Sequence, residues 1–424
     1  MSSWLFNARA QTGRLASLKI LLIHNEYRQP GGEETVVQQE RELLQRGGHQ
    51  VVDYRRSNWE TEAYRGVREA TLLEQMVWAS DARRDVLSIL RKEKPQLVHV
   101  HNTFMVISPS IYSACTEAGV PVVQSLHNYR LFCPAAYFFR DGKVCEECVE
   151  HSLLRGVRHG CYRGSHSATA AVALMLHVHR LAGTFSSAIT MYIALTQFAR
   201  RKFIDAGLPS RRIAVKPNFV YPDPGVGSED REYALFVGRL SPEKGVSTLL
   251  AAWSRLGEPI PLLVVGDGPL LSALQAEAAR LGLSQVRFAG RLTRNQGLAA
   301  MKRARVLLFP SLWYEGFPMV IAEAFACSTP VICSSMGAMA EIVEHGRTGI
   351  HFAVGQSQDL ADKVDWALSH ADNMRLMGVE ARHEFEAHYT AEANYTSLME
   401  IYGRCLHLPI ATKQVADAPR IHPA

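Results

Sequence analysis

Two hydrophobic periods take turns along this chain. Leu18-Lys-Ile-Leu-Leu-Ile-His24 is a continuous apolar run of strand length, whereas residues 33–46 space their apolar positions at helical intervals. Residues 50–54, 96–100 and 121–126 repeat the strand pattern, with helical segments between them. An irregular stretch follows, then a helix from about 167, a strand at 191–195, a helix at 198–206 and a strand at 213–215. The alternation stops in Lys216-Pro-Asn-Phe-Val-Tyr-Pro-Asp-Pro-Gly, where Pro, Gly and acidic residues read as a linker. It resumes with strands at 233–237, 261–265, 286–288, 306–309 and 330–333.

Strand–helix alternation with strands apolar on both faces predicts parallel sheets covered by helices on each side. The expected fold class is therefore α/β, with two Rossmann-like doubly wound domains facing across a cleft. The predicted divisions are a flexible tail at 1–17, a first domain at 18–216 and a linker at 217–232. A second domain follows at 233–390, then a helix at 391–407 that reaches back to the first, and a tail at 408–424. The first domain carries a cysteine-containing insert at 130–164.

The richest segment is Pro310-Ser-Leu-Trp-Tyr-Glu-Gly-Phe-Pro-Met-Val-Ile-Ala-Glu-Ala-Phe. It reads as a buried strand, a tight loop and a helix with Pro318 at its first position, where a missing N–H costs nothing. A helix N-terminus at a strand's carboxyl end is an anion site. Glu315 and Glu323 flank it, and carboxylates beside a phosphate site suit the hydroxyls of a sugar nucleotide. Earlier, Val237-Gly-Arg-Leu-Ser-Pro-Glu-Lys-Gly places Arg239 and Lys244 after another strand. Two cations there would neutralise a diphosphate and the charge that grows on it as it leaves. Gly266-Asp267-Gly-Pro follows the next strand, and Gly290-Arg291 the one after. Glycines at such places let a base or ribose approach the backbone.

In the first domain Gly31-Gly32 precedes a helix, as a phosphate nest or as a plain loop and cap. His127 ends a strand at the cleft, and a substrate-orienting role is favoured over a structural one. His24, His99 and His101 also end strands, without assigned roles. Cys133, Cys145, Cys148 and Cys161 all lie in the insert. Cys145-Glu-Glu-Cys148 has zinc-knuckle spacing, so the four could close a structural zinc tetrahedron or be unrelated reduced thiols.

Bulk properties adjust this picture modestly. The 424 residues are 47% apolar and 21% charged, ordinary for a globular protein of two or three domains. Residues 1–220 hold 28 Lys+Arg against 19 Asp+Glu, a balance of +9, whereas the remainder holds 18 against 22, or −4. A basic first half points to an anionic partner, an acceptor or a membrane surface. Without basic–aromatic interleaving, nucleic acid is not expected. Residues 1–17 lack the apolar core of a secretory signal. The apolar stretch at 168–195 is broken by His177, His179, Arg180 and Gly183. Both point to a cytoplasmic protein, peripheral at the inner face of a membrane.

Taken in order and spacing, these residues resemble the retaining glycosyltransferases of family 4, which have the two-domain GT-B fold. The resemblance is carried by Gly238-Arg239, Lys244-Gly245, Gly266-Asp-Gly-Pro and the E-x7-E pair Glu315 and Glu323. Gly337 and Glu341-Ile-Val-Glu-His-Gly-Arg-Thr-Gly add to it. The resemblance implies transfer of a hexose from a UDP- or GDP-linked donor to a glycan or lipid-linked acceptor, in surface polysaccharide or glycoconjugate synthesis. Arg239 and Lys244 would hold the diphosphate, Glu323 the ribose and Glu315 the sugar hydroxyls. Phe317, Pro318 and Met319 would line the phosphates, Gly32 would approach from the other domain, and His127 would contact sugar or acceptor. It also implies front-face retention with no catalytic metal, and the chain has no Asp-x-Asp to hold one. The alternatives are a sugar-nucleotide epimerase on the same fold and a non-catalytic nucleotide-sugar scaffold.

Overall fold

A computed structural model describes residues 17–28, 31–64, 69–227, 230–257 and 260–407. The expected tails fall outside these residues except at Ser17, and Pro30 also lies outside. The first sheet is built from β1 (Lys19–Glu26), β2 (Gln50–Ser57), β3 (Leu97–Asn102), β4 (Val122–Leu126), β7 (Met191–Ala194) and β8 (Ile213–Val215). They lie parallel in the order β2-β1-β3-β4-β7-β8. The second sheet holds β9 (Tyr233–Val237), β10 (Leu262–Val265), β11 (Val286–Gly290), β12 (Ala304–Phe309), β13 (Val331–Ser334) and β14 (Gly349–Phe352). Their order is β11-β10-β9-β12-β13-β14, again parallel. The fold is the two-domain α/β GT-B architecture.

The apolar runs become central strands because both their faces are covered: Ile20 to Ile23 are at most 1% exposed. β14 was not visible as a strand in the sequence. Its four residues lie behind the turn at 344–348, and their pairing with β13 makes them a strand.

The helix Ala391–His407 packs into the first domain. Tyr395, Leu398, Met399, Ile401, Tyr402 and Cys405 share a buried cluster with Leu18, Ile20, Leu43, Leu97, Val123 and Met191. The chain therefore crosses between domains twice. The crossings lie side by side: Val220 N–H donates to Tyr389 O at 2.9 Å, and Asn394 Nδ2 to Pro217 O at 3.0 Å. Lys216, at the last position of the expected first domain, is 1% exposed.

The insert is also anchored by packing. Leu131, Phe132, Cys133, Phe138 and Leu153 are buried in the first domain's core, around the hairpin β5 (Phe139–Arg140) and β6 (Lys143–Val144). Arg140 bridges to Glu147 at 2.6 Å, and Arg180 donates to Leu131 O at 2.8 Å. Packing against the first domain's core and these contacts therefore hold the insert at several points along its length.

Candidate active site

In the second sheet the strand order reverses between β9 and β12, and the loops leaving those two strands diverge into a crevice, the usual ligand position in such sheets. Gly238 and Arg239 leave β9, Gly266 and Asp267 leave β10, Arg291 leaves β11, and the Glu315 loop leaves β12. The crowding of these loops is strict. Gly266 has φ +141°, and a Cβ there would overlap the Gly238 carbonyl.

Lys244 closes the short 3-10 turn Pro242–Lys244, and its Nζ lies 2.7 Å from Glu315 Oε1. Ser311 Oγ at 2.6 Å and Trp313 Nε1 at 2.9 Å donate to the same oxygen. Three donors on Oε1 fix the buried Glu315 side chain and leave Oε2 without a partner among the described residues. Lys244 is therefore not the unattached cation expected from sequence. A carboxylate 2.7 Å away holds it beside the Trp313 and Phe309 rings. Arg239 is exposed and makes no ion pair with a described residue.

The helix after the loop is Met319–Ala326, so Pro318 is its cap rather than its first residue (φ −78°, ψ 87°). The first-turn N–H groups of this helix have no preceding turn to bond and face the crevice end of β12. Glu323, one turn in, meets Arg294 Nε at 3.2 Å. Burial pushes the Glu323 carboxyl above its usual range, and Arg294 pulls it partly back. Arg294 also donates to Tyr221 O at 3.0 Å.

The first domain closes over this crevice. Gly32, at the start of helix Gly32–Arg46, stands where a Cβ would lie 3.8 Å from Met319 Cγ. Gly316 passes the His127 carbonyl so closely that a Cβ on it would come within 2.7 Å of that oxygen. Tyr137 and Trp313 meet edge-on at 4.9 Å, as do Phe198 and Tyr314 at 4.7 Å. Glu341 reaches across to accept both Gln197 and Phe198 N–H groups at 2.6 Å, capping the first-domain helix Gln197–Asp205.

Behind His127 lies a polar cluster that sequence reading left unassigned. On one face of the first sheet the residues are apolar at the strands' amino ends: Ile20, Leu97 and Val123. Toward the carboxyl ends the same face turns polar, with His24, His99, His101, Ser125 and His127. His101 Nδ1 lies 3.0 Å from His127 Nε2. Glu40, on the helix above, has Oε1 3.6 Å from His101 Nε2 and 3.2 Å from His99 Nδ1, and its Oε2 is 2.8 Å from Lys216 Nζ. His99 also meets Tyr402 OH at 2.8 Å and Ser125 Oγ at 2.9 Å. Burial lowers His99 and His24 to about 4 and His127 to about 3, so all three rings are neutral near pH 7. Burial also pushes on the Glu40 carboxyl, but Lys216 and His99 more than offset it and hold it below the usual range.

Glu40, His99 and His101 have metal-like spacing, and they are the only described groups of this kind with ligand atoms within 4.8 Å of one another. The Lys216 ammonium already supplies the positive charge such a carboxylate needs. By the same measure no three of the sulfurs of Cys133, Cys145, Cys148 and Cys161 lie within 4.8 Å, and a zinc tetrahedron holds its sulfurs closer than that. Burial, and then the neighbouring Cys133, push the Cys148 thiol up to about 12. Cys161 and Cys145 also act on that thiol, so the four free cysteines are neighbours in the insert, spaced more widely than a closed tetrahedron.

Known proteins agree with this geometry. The sequence profile described as "Glycosyl transferases group 1" matches residues 223–384, and "Glycosyltransferase Family 4" matches 30–223. The chain belongs to the group 1/family 4 glycosyltransferases of the GT-B fold. An uncharacterized glycosyltransferase of Methanocaldococcus jannaschii is 28% identical over 199 residues, 47% of this chain and 55% of that one. The chain thus spans about half the length of the first curated relatives it matches. Alpha-D-kanosaminyltransferase of Streptomyces kanamyceticus is 25% identical over 80% of this chain and 84% of its own. In shape, Anabaena HepE crystallised with UDP superposes with a TM-score of 0.65 and 19% identity, covering 91% of this chain and all of that one.

Proposed function

We propose that this protein is a retaining glycosyltransferase that moves a hexose from a nucleoside-diphosphate sugar to a glycan or lipid-linked acceptor. One observation carries the reading. Arg239, Lys244, Glu315, Glu323 and the N-terminus of helix Met319–Ala326 converge at one crevice, and Gly32 and His127 face it from the other domain.

The donor diphosphate lies against the helix N-terminus, with Lys244 bridging Glu315 and phosphate and Arg239 closing from the exposed side. As the sugar–phosphate bond breaks, these groups stabilise the charge that accumulates on the leaving diphosphate. Glu323 holds the ribose, and Glu315 offers Oε2 to a sugar hydroxyl. The acceptor enters from the first domain, and its hydroxyl proton passes to the leaving phosphate on the same face. In this reading Lys244, Arg239 and the helix N-terminus together do the work that a metal does in other transferases.

A membrane-borne acceptor fits the surface beside the insert. Leu154, Leu174, Leu181 and Trp78 are 72, 46, 76 and 40% exposed, and they sit on or beside three helices that pack together. Exposed Arg155, Arg158 and Arg163 border them. Among the described residues no helix is long and apolar enough to cross a membrane, so contact there would be peripheral.

The test is a thermal-shift comparison of UDP, GDP, ADP and TDP on wild type and Lys244→Ala, followed by turnover of the matching labelled donor. The UDP-bound HepE structure makes UDP the first nucleotide to try. A nucleotide at ~100 times its dissociation constant should add about 2.7 kcal/mol to the wild type alone. Stabilisation by none of the four would overturn the donor site, binding without turnover would favour the scaffold, and an epimerised sugar without acceptor would favour the epimerase.

A further inference from the structure

We propose that Glu40 and His101 are positioning residues for the sugar-transfer reaction. They fix His127 with its proton on Nε2, so that its unprotonated Nδ1 serves as a hydrogen-bond acceptor for a ligand hydroxyl in the cleft. This rests on the glycosyltransferase reading above and assigns its first-domain side.

The argument starts from the oxygen that can only accept. Glu40 is 1% exposed and is held as a carboxylate by Lys216, so Oε1 facing His101 Nε2 at 3.6 Å calls for a proton on that nitrogen. At that distance the two atoms make no hydrogen bond as they stand, and neither has one elsewhere, so a proton on Nε2 is the arrangement in which the buried carboxylate faces a donor rather than a lone pair. A neutral ring protonated at Nε2 has a lone pair at Nδ1. That lone pair meets His127 Nε2 at 3.0 Å, and the hydrogen bond between them needs its proton on His127. His127 then has its own lone pair at Nδ1, which has no partner among the described residues.

The surroundings hold the series in place. His99 takes the other side of Glu40 Oε1 at 3.2 Å and is itself fixed by Tyr402 and Ser125. The His101 and His127 rings stack at 5.2 Å. A core of this kind is expensive in polar groups. Burying two histidines, a glutamate and a lysine under a sheet face that could have stayed apolar costs stability unless every member is paired. At the cleft end the His127 backbone carbonyl passes beside the Gly316 backbone of the donor loop, which sets the residue that carries the ring at the crevice.

The first measurement needs no variant and no substrate. Histidine-selective 15N labelling of the full-length protein at pH 7 reports which ring nitrogen of each neutral histidine is protonated. His127→Gln assigns the signal. The expected pattern is a protonated Nε2 and an unprotonated Nδ1 at His127, changing to a mixture of tautomers in His101→Gln. A protonated Nδ1 in the wild type, or an unchanged pattern in His101→Gln, overturns the proposal.

The second measurement uses turnover. His101→Gln should lower kcat by about 10- to 100-fold while leaving donor KM within about twofold, the signature of a mis-set partner rather than a lost contact. In a His127→Ala background the same change should cost nothing further. An equal loss in both backgrounds would show that His101 acts apart from His127. Absence of turnover in the wild type with any nucleotide sugar would remove the transferase reading, and the nitrogen signals would still decide the tautomer.

Discussion

Lys244 illustrates how one side chain can serve both fold and chemistry without being essential to the first. Its ammonium is one of three donors on Glu315 Oε1, and Ser311 and Trp313 remain when it is removed. Lys244→Ala is therefore expected to keep the melting temperature within a few degrees. It should lose roughly 10²- to 10³-fold in kcat/KM, the range for deleting one preorganised charge at a developing anion. Steady-state kinetics beside a melting curve would check both halves. The buried histidines give a second prediction at this scale. His24, His99 and His127 are held neutral to about 4, 4 and 3, whereas in the unfolded chain they take up protons near 6.5. Between those values the unfolded state binds more protons, so stability is full above pH 6.5 and falls as pH drops toward 4. Glu40, held low by Lys216, adds loss in the same direction at the acid end. Glu33 and Glu323, raised by burial, oppose it, but three histidines outweigh two carboxyls. The net loss should be on the order of several kcal/mol. Melting curves from pH 7 to 4 would show it, and a flatter profile is expected in His24→Gln, since neither ring nitrogen of His24 has a hydrogen bond.

Elements were the most legible level of this chain. Continuous apolar runs gave β9 and β8 with their observed bounds, because strands buried on both faces leave no choice of period. The gathering of the candidate residues was legible for the same reason: loops after parallel strands must meet at one edge, and Arg239, Lys244 and Glu315 stand after such strands. Less legible was anything that depends on a partner distant in sequence. Lys216 stood at the last position of the expected first domain, against the Pro- and Asp-rich linker, with nothing nearby to bury it, yet Glu40, 176 positions away, draws it inside. A signal did exist. Glu40 falls on the helical stripe of Val36, Val37, Leu43 and Leu44, and His99 and His101 share the face of Leu97 by the two-residue strand period. Charged and polar residues on an apolar face are the pattern to look for. Gly316 yields the prediction at this scale. Gly316→Ala puts a methyl against the His127 carbonyl without touching either domain's core. Turnover should drop at least tenfold with little change in melting temperature, because 1 Å of misplacement at a reacting centre is costly.

For the molecule as a whole, the expected return of the helix at 391–407 to the first domain is what packing shows, and it carries weight. The last helix belongs to the first domain, so truncation after Tyr389 strips that domain of Tyr395, Leu398, Met399, Ile401, Tyr402 and Cys405 together. At about 1.5–3 kcal/mol for each large apolar side chain, the loss is roughly 10 kcal/mol, comparable with a domain's entire stability. The truncated chain should fail to give a cooperative melt of the first domain. Glu341 acts oppositely, holding the domains together at the surface through the two N–H groups it caps and a 3.9 Å pairing with Arg201. Glu341→Gln should leave both domains folded and enlarge the radius of gyration in solution scattering when no nucleotide is present.

The paired crossings at Val220 and Tyr389 give the molecule the mechanics of a bound book. Two adjacent stitches leave the covers one easy motion, a turn about the spine, whereas a single thread would let them twist and slide. Arg294 ties Glu323 to Tyr221, so Glu323, the residue proposed to hold the donor ribose, sits next to the stitching, where the covers part least. Trp313, Tyr137 and Glu341 lie at the fore-edge, where the same turn produces the greatest separation. In the proposed reaction the nucleotide end would stay seated while the reacting end opens to admit an acceptor, and the spent diphosphate would leave before the next round.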